Sequence, residues 1–317
     1  MKKTKNLVVA AFCGVAIACS GADVVPDRDS MEGASLDDAA DQATERAEDE
    51  ATERTEAMTL QAELTAWVEG GHRSEENRVR NEYRNPVATL MFFGIQPDYQ
   101  VVEIWPGSGW YAEILAPFVA GEGSYAAGNF LIRDDDPEDY RTQVGTEFLD
   151  RMERLADHVG DVHVGTFAPG EVVDLGEPGS ADMVLTFRNL HNMYNNGNLE
   201  EALEAFNEVL KPGGTLGIVQ HRAPEGSDPE ETATNGYIAQ DWVIETVEAA
   251  GFEFEEASDI NANPNDTADH EHGVWSLPPS LRGGEETAEE FMAIGESDRM
   301  TLRFVKPEGG DQRASGE

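Results

Sequence analysis

Val102-Glu103-Ile104-Trp105-Pro106-Gly107-Ser108-Gly109-Trp110 decides how the rest of the chain is read. Residues 100–105 form an apolar run short enough for a buried strand, interrupted only by the carboxylate of Glu103. The run breaks at a Gly-x-Gly turn. Beyond it Tyr111, Ile114, Leu115 and Phe118 recur at helical spacing over 110–120. Glycines let backbone approach a bound group closely, and a helix N-terminus offers N–H donors without partners. A strand, a two-glycine turn and a helix serve many α/β proteins, so the flanking pattern has to decide.

Upstream, Leu60, Leu64, Trp67 and Val68 open the ordered region, and Asn85-Pro86 starts a helix that Gly94 ends. Downstream, strand and helix alternate. Strands are predicted at 124–128, 161–165, 182–187 and 215–220, and helices at 140–159, 199–210 and 239–250. An acidic loop lies at 134–136, and Lys211-Pro212-Gly213-Gly214 makes a tight turn before the strand at 215. Residues 252–257 and 300–305 pair as a last, antiparallel couple. Elements of these lengths in this order predict a mostly parallel sheet covered on both faces.

The whole order resembles class I S-adenosylmethionine-dependent methyltransferases. The glycine turn, the next apolar strand with its polar end, the Lys-Pro-Gly-Gly turn and the closing pair of strands carry the likeness, which spans roughly 75–307. Glu103-Ile104-Trp105-Pro106-Gly107-Ser108-Gly109-Trp110-Tyr111 also resembles a bacterial, exported group of predicted methyltransferases. The resemblance implies an α/β, Rossmann-like doubly wound fold with a mostly parallel seven-stranded sheet and an antiparallel edge strand. It implies S-adenosylmethionine as cofactor, with Glu103, Gly107, Ser108 and Gly109 along its methionine end. Asn129 stands where the family carries an acid for the ribose hydroxyls, and Thr166 where an Asp often faces the adenine. Arg188 and Asn189 fall at the mouth of the cleft. Trp105 takes the place of the turn's first glycine.

His191 and His221 follow the fourth and fifth strands, where a near-neutral imidazole can serve as a general base or as a hydrogen-bonded structural group. Asp269-His270-Glu271-His272 has a spacing that two metal ligands could share, but its Asn/Asp-rich surroundings read as a solvated loop, and no metal site is assigned.

The N-terminus is an address. Lys2, Lys3 and Lys5 precede an apolar stretch ending Ala16-Ile17-Ala18-Cys19, which resembles a bacterial lipobox. Residues 1–18 are expected to be a lipoprotein-type signal peptide, with a lipid anchor at Cys19 as the membrane attachment. The expected location is exported, as a periplasmic or outer-membrane lipoprotein. Residues 19–62 read as an acidic disordered spacer, 63–307 as the methyltransferase-like domain and 308–317 as a polar tail. Both cysteines, Cys13 and Cys19, lie at the extreme N-terminus, which excludes a disulfide framework in the folded part. With 22 basic against 63 acidic residues, the surface repels phosphate backbones, so nucleic acid is not a partner.

Two functions stay open. One is methyl transfer to a small-molecule or surface acceptor, supported by Glu103, the glycine turn and the polar run at 188–191. The other is an extracytoplasmic small-ligand-binding module with no catalysis, supported by Trp105, Asn129 and Thr166. A metal-dependent hydrolase on His270 and His272 has little behind it.

Overall fold

The computed structural model describes residues 36–160 and 162–309. The predicted signal peptide, Cys19 and residues 310–317 of the polar tail lie outside the described residues. The chain divides into two units, Met1–Arg54 and Thr55–Glu317, and the second holds the sheet.

Helix α1, Leu36–Val68, begins well inside the stretch expected to be a disordered spacer. Ala, Glu and Arg are good helix formers, and Leu64 and Val68 bury its last turns in the core of the second unit. The side chains at 51–59 remain exposed. Short helices α2 (Glu75–Arg78) and α3 (Asn81–Arg84) lead to α4 (Pro86–Phe93), which ends at Gly94 as expected. From β1 (Gln100–Ile104) the alternation runs through α5 (Ala112–Val119), β2 (Ser124–Asn129), α6 (Tyr140–Arg154), β3 (Val162–Ala168) and β4 (Val172–Val173). It continues through β5 (Ala181–Phe187), α7 (Leu190–Asn195), α8 (Leu199–Val209) and β6 (Leu210–Ala223). The last elements are α9 (Pro229–Thr232), β7 (Ile238–Ala239), α10 (Gln240–Ala249), β8 (Glu253–Ser258), α11 (Glu285–Ile294) and β9 (Arg299–Val305). The sequence pattern did not show α7, α11 or the two-residue strands.

The sheet order is β4-β3-β2-β1-β5-β6-β9-β8, with β7 added on β6. Strands β3, β2, β1, β5 and β6 are parallel, and β9 is antiparallel to both β6 and β8. The couple β9–β8 closes this side of the sheet as the expected antiparallel edge, with β9 inside and β8 outermost. Side chains explain the order. Met300, Leu302 and Phe304 of β9 are fully buried, whereas Glu253, Glu255 and Glu256 of β8 are exposed, as suits an edge. The Lys211-Pro212-Gly213-Gly214 turn is absorbed into β6 as an irregularity, where the pairing with β5 jumps from Leu210 to Thr215.

Alternation along β1 builds two cores. Val102 and Ile104 face α7, α8 and α10 with Phe206, Val243 and Phe252; Val101 faces the opposite layer with Phe93, Ile114 and Phe148. Gly217 in β6 allows α4 to sit close, because a Cβ there would lie 2.9 Å from the Phe93 ring and 2.6 Å from Leu185.

A buried ion cluster fastens the helical N-terminal segment to β9. Arg84 Nε donates to both Glu296 oxygens at 3.2 and 3.0 Å, Arg80 Nε at 2.8 Å and Arg299 Nη1 at 3.1 Å. Burial alone would raise the Glu296 carboxyl, but Arg84, Arg299 and Arg80 outweigh it and hold it at about 2. Its stabilising contribution is thus present above pH 4.5 and lost as pH falls toward 2. Glu296→Gln leaves buried guanidiniums without their carboxylate and is expected to cost about 3 kcal/mol or more in urea unfolding at pH 7. The difference from wild type should shrink below pH 4. A variant as stable as wild type at neutral pH would contradict the role given to this cluster.

Candidate functional site

β1 is hydrogen-bonded to β2 on one side and β5 on the other, and the chain departs in opposite directions from those two neighbours. Such a switch point leaves a crevice beyond the strand ends. A cavity of about 580 Å³ lies there, lined by the turn after β1, by Phe187, Arg188 and Asn189 after β5, and by His221 of β6. Asn189 braces the opening: its amide nitrogen donates to the Ile104 carbonyl at 2.9 Å.

Backbone strain gathers at this rim. Trp105 and Arg188 hold φ values of 45° and 65°, a left-handed region that non-glycine residues occupy at a cost and that clusters at functional sites. Gly107, at φ 60°, lines the cavity, and a Cβ there would meet open space. Its freedom leaves room for a ligand. Gly109 differs. At φ 89° its missing Cβ makes room for Arg151 Cδ at 2.7 Å and the Phe148 ring at 3.3 Å, so it serves the packing of α6. Of Gly107, Ser108 and Gly109, only Gly107 lines the cavity.

Glu103 and Arg188 dominate the electrostatics. The Glu103 carboxyl is buried and accepts a hydrogen bond from the Tyr125 hydroxyl at 2.7 Å. Burial pushes it up to about 8, against the pull of Tyr125 and of Arg188. Burial also lowers Arg188, to about 10. Among the described residues its guanidinium forms no ion pair or hydrogen bond; only its backbone N–H is bonded, to the Val219 carbonyl at 2.6 Å. A buried acid and a cation that form no salt bridge with each other therefore line the same cavity.

The two histidines come together, with ring centroids 5.6 Å apart. The Gln220 side-chain nitrogen donates to the Gly236 carbonyl at 2.9 Å, which fixes its amide, and lies 3.2 Å from His191 Nδ1. Nδ1 is then an acceptor and Nε2 carries the hydrogen. Burial foremost, with the charge of Arg188, drops His191 to about 4. His221, bonded through Nδ1 to Ser297 Oγ, is lowered well below the usual range by burial, then by His191 and the arginines nearby. Of the two expected readings, the burial and hydrogen bonds of both rings favour the structural one over the general base. His191 offers a hydrogen-bond donor.

Asn129 and Thr166 do not line the cavity. The Asn129 amide donates to the Gly145 carbonyl of α6 at 3.1 Å and accepts from the Phe130 N–H at 2.9 Å, so both ends are occupied by the protein. Thr166 pairs with Asn129 inside β3, while the next residue, Phe167, points into the core beside Trp105. Trp105 holds that corner. Its indole N–H donates to the Phe167 carbonyl at 2.7 Å, its ring stacks on Phe130 with centroids 5.1 Å apart, and the Arg141 guanidinium lies 5.5 Å from its centroid. A second cavity of about 390 Å³, bordered by Phe130, Leu131, Phe167, Ala168 and Pro169, shares the Trp105 wall at the ends of β2 and β3.

Sequence reasoning missed several lining residues. Tyr111 stacks on Phe187 at 3.6 Å and 9°, and Arg141 comes from the first turn of α6. Val274, Trp275, Ser280 and Arg282 reach the cavity from the segment between β8 and α11. That segment contains His270, which is not solvated as expected. Its Nε2 lies 2.9 Å from the buried Asp266 carboxylate, to which Tyr237 also donates. Among the described residues no group of three or more His, Cys, Asp or Glu is arranged to hold a metal ion.

No protein-family model matches the sequence, and no curated protein sequence matches it. Solved structures do resemble the chain. An S-adenosylmethionine-dependent methyltransferase from Aquifex aeolicus is 15% identical and aligns over 72% of this chain and 92% of its own, with a TM-score of 0.47. The [4+2]-cyclase SpnF is 16% identical over 76% and 86%, with a TM-score of 0.50. A methyltransferase from Methanosarcina mazei is 12% identical over 69% and 98%, at 0.44. At these identities the likeness is one of fold, and a cyclase among the neighbours shows that this architecture carries more than one chemistry.

Because the folded-state pKa of Glu103 is raised, its burial is free of charge cost below pH 4.5 and penalised as pH rises through 8. Glu103→Gln keeps the Tyr125 bond and removes the titration. Thermal unfolding of both proteins from pH 5 to 9 should show the wild type losing stability relative to the variant, by up to about 1.4 kcal/mol per pH unit. Parallel pH profiles would show that Glu103 is already charged in the free protein.

Proposed function

We propose that the chain is an S-adenosylmethionine-dependent methyltransferase acting on a small acceptor, exported and tethered through a lipidated Cys19. The carrying observation is that Glu103 and Arg188 face one cavity beside Gly107, the acid bonded only to the neutral Tyr125 hydroxyl and the guanidinium in no ion pair or hydrogen bond among the described residues. An α-amino acid end complements both. Its ammonium supplies the cation that a buried carboxyl lacks, and its carboxylate suits a guanidinium in a charge-assisted pair.

The residues fit the cofactor at that end. At the other, the half-buried Phe130 ring on the border of the second cavity suits a nucleobase by stacking. Asn129 supplies no ribose contact, its amide being committed to α6. S-adenosylmethionine, when bound, supplies an electrophilic methyl group on a sulfonium centre. The protein's part is to hold and orient. Gly107 lets the main chain approach, Asn189 fixes the mutual position of the β1 and β5 ends, and the Tyr111–Phe187 stack gives the cavity a rigid apolar wall. Positioning of this kind accounts for much of a transfer that needs no covalent enzyme intermediate.

Calorimetric titration of the purified mature protein with S-adenosylhomocysteine and S-adenosylmethionine tests the reading. Both should bind; Arg188→Gln should weaken binding by about 10-fold or more, the scale of one charge-assisted hydrogen bond. Gly107→Val, which fills the open space, should abolish binding and leave circular dichroism unchanged. A wild-type protein that binds neither ligand at millimolar concentration would overturn the proposal in favour of a ligand-binding module without transferase chemistry.

A further inference from the structure

The chain carries 63 acidic and 22 basic residues, yet the lining of the main cavity reverses that ratio, with Arg141, Arg188 and Arg282 against the single carboxyl of Glu103. A wall drawn at random from this composition would be acidic. The reversal extends beneath the cavity, where Arg80, Arg84 and Arg299 share the one carboxylate of Glu296. A low-dielectric pocket lined by one sign of charge raises the local concentration of the opposite sign.

Part of this excess is grouped around Trp275. Arg282 lies with its guanidinium carbon 5.1 Å from the centroid of Trp275, and the His191 ring meets the same indole edge-on at 6.0 Å. The side chain of Arg282 has no ion pair or hydrogen bond among the described residues. His191 presents its Nε2–H, because Nδ1 is taken by Gln220. A cation, a neutral N–H donor and an aromatic face thus converge on one wall without a carboxylate among them.

The chemistry agrees. Among the described residues no carboxylate is bonded to Trp275, Arg282 or His191, and His191 and His221 are buried and weakly basic, so this wall offers no group suited to removing a proton from an acceptor. An acceptor that arrives already ionised needs none. We propose that the Trp275 wall is the acceptor subsite and selects a small organic anion, whose carboxylate or phosphate group is held by Arg282 and the His191 Nε2–H while its body packs on the indole. Calling the ligand an acceptor rests on the methyltransferase reading; the anion site itself rests on the lining.

Titration of the mature protein with benzoate, inorganic phosphate and tetramethylammonium at constant ionic strength, followed by tryptophan fluorescence and calorimetry, tests this. Benzoate or phosphate should bind and tetramethylammonium should not. Arg282→Gln should weaken anion binding at least tenfold and Arg282→Glu should abolish it, both with unchanged thermal unfolding, since Arg282 is exposed. Anion binding that is indifferent to both substitutions, or preferential binding of tetramethylammonium, would overturn the proposal. S-adenosylhomocysteine titrated in parallel separates the two readings. Its binding should survive Arg282→Gln within a few-fold, whereas its failure to bind the wild type would remove the transferase reading and leave the anion site standing.

Discussion

The end of β1 has two neighbours that part company, and most of the site follows from that constraint. Val101 to Ile104 is paired on both edges, so the strand cannot shift without breaking two ladders. Beyond Ile104 the chain must leave the sheet abruptly, and it does so through a left-handed Trp105 and Gly107. The matching exit from β5, at left-handed Arg188, is tied back to β1 by the Asn189 side chain. Strain at two facing turns is held by the sheet beneath them, and the crevice is the space they leave. Glu103 is buried there because its strand is central, and Arg188 on the facing rim attracts it without forming a salt bridge.

Charge distribution is the second feature that organises the molecule. Acidic side chains lie outward, as on β8, while arginines are gathered at the cavity and in the cluster under it. The arginines beneath are held by Glu296; Arg188 and Arg282 above have no such partner among the described residues. A surface of this sign discourages anions in general, so an inward-facing cationic lining acts as a local exception that depends on contact distance.

Much of the fold was legible in the residues. Period-two and period-3.6 apolar patterns placed β1, β2, β5, β6, α4 and α8 close to where they lie. What escaped was set by tertiary contact. The sheet position of β9 depends on its being more apolar than β8, and α7 is too short to show a period. At the site, Glu103, Gly107, Arg188 and Asn189 were found because they follow strand ends, which the sequence marks. Asn129 and Thr166 were assigned by position alone, and position does not reveal that the Asn129 amide is bonded to α6 or that Thr166 sits outside the cavity. The Trp275 wall comes from a segment far along the chain from the glycine turn, with no periodicity to announce it. Nor could the sequence show that His191 is buried with its Nδ1 against Gln220, or that His221 lies against Ser297 and near arginines.

The account centres on Glu103 as a buried acid, bonded to Tyr125 but in no salt bridge, that a ligand cation would complement. Carbon-13 NMR of the selectively labelled Glu103 carboxyl, titrated from pH 4 to 10 with and without saturating S-adenosylhomocysteine, reads that directly. The predicted result is a midpoint near 8 in the free protein, falling well below 7 when the ligand's ammonium is present. A free-protein midpoint near 4.5, or a midpoint that the ligand leaves unmoved, would contradict it.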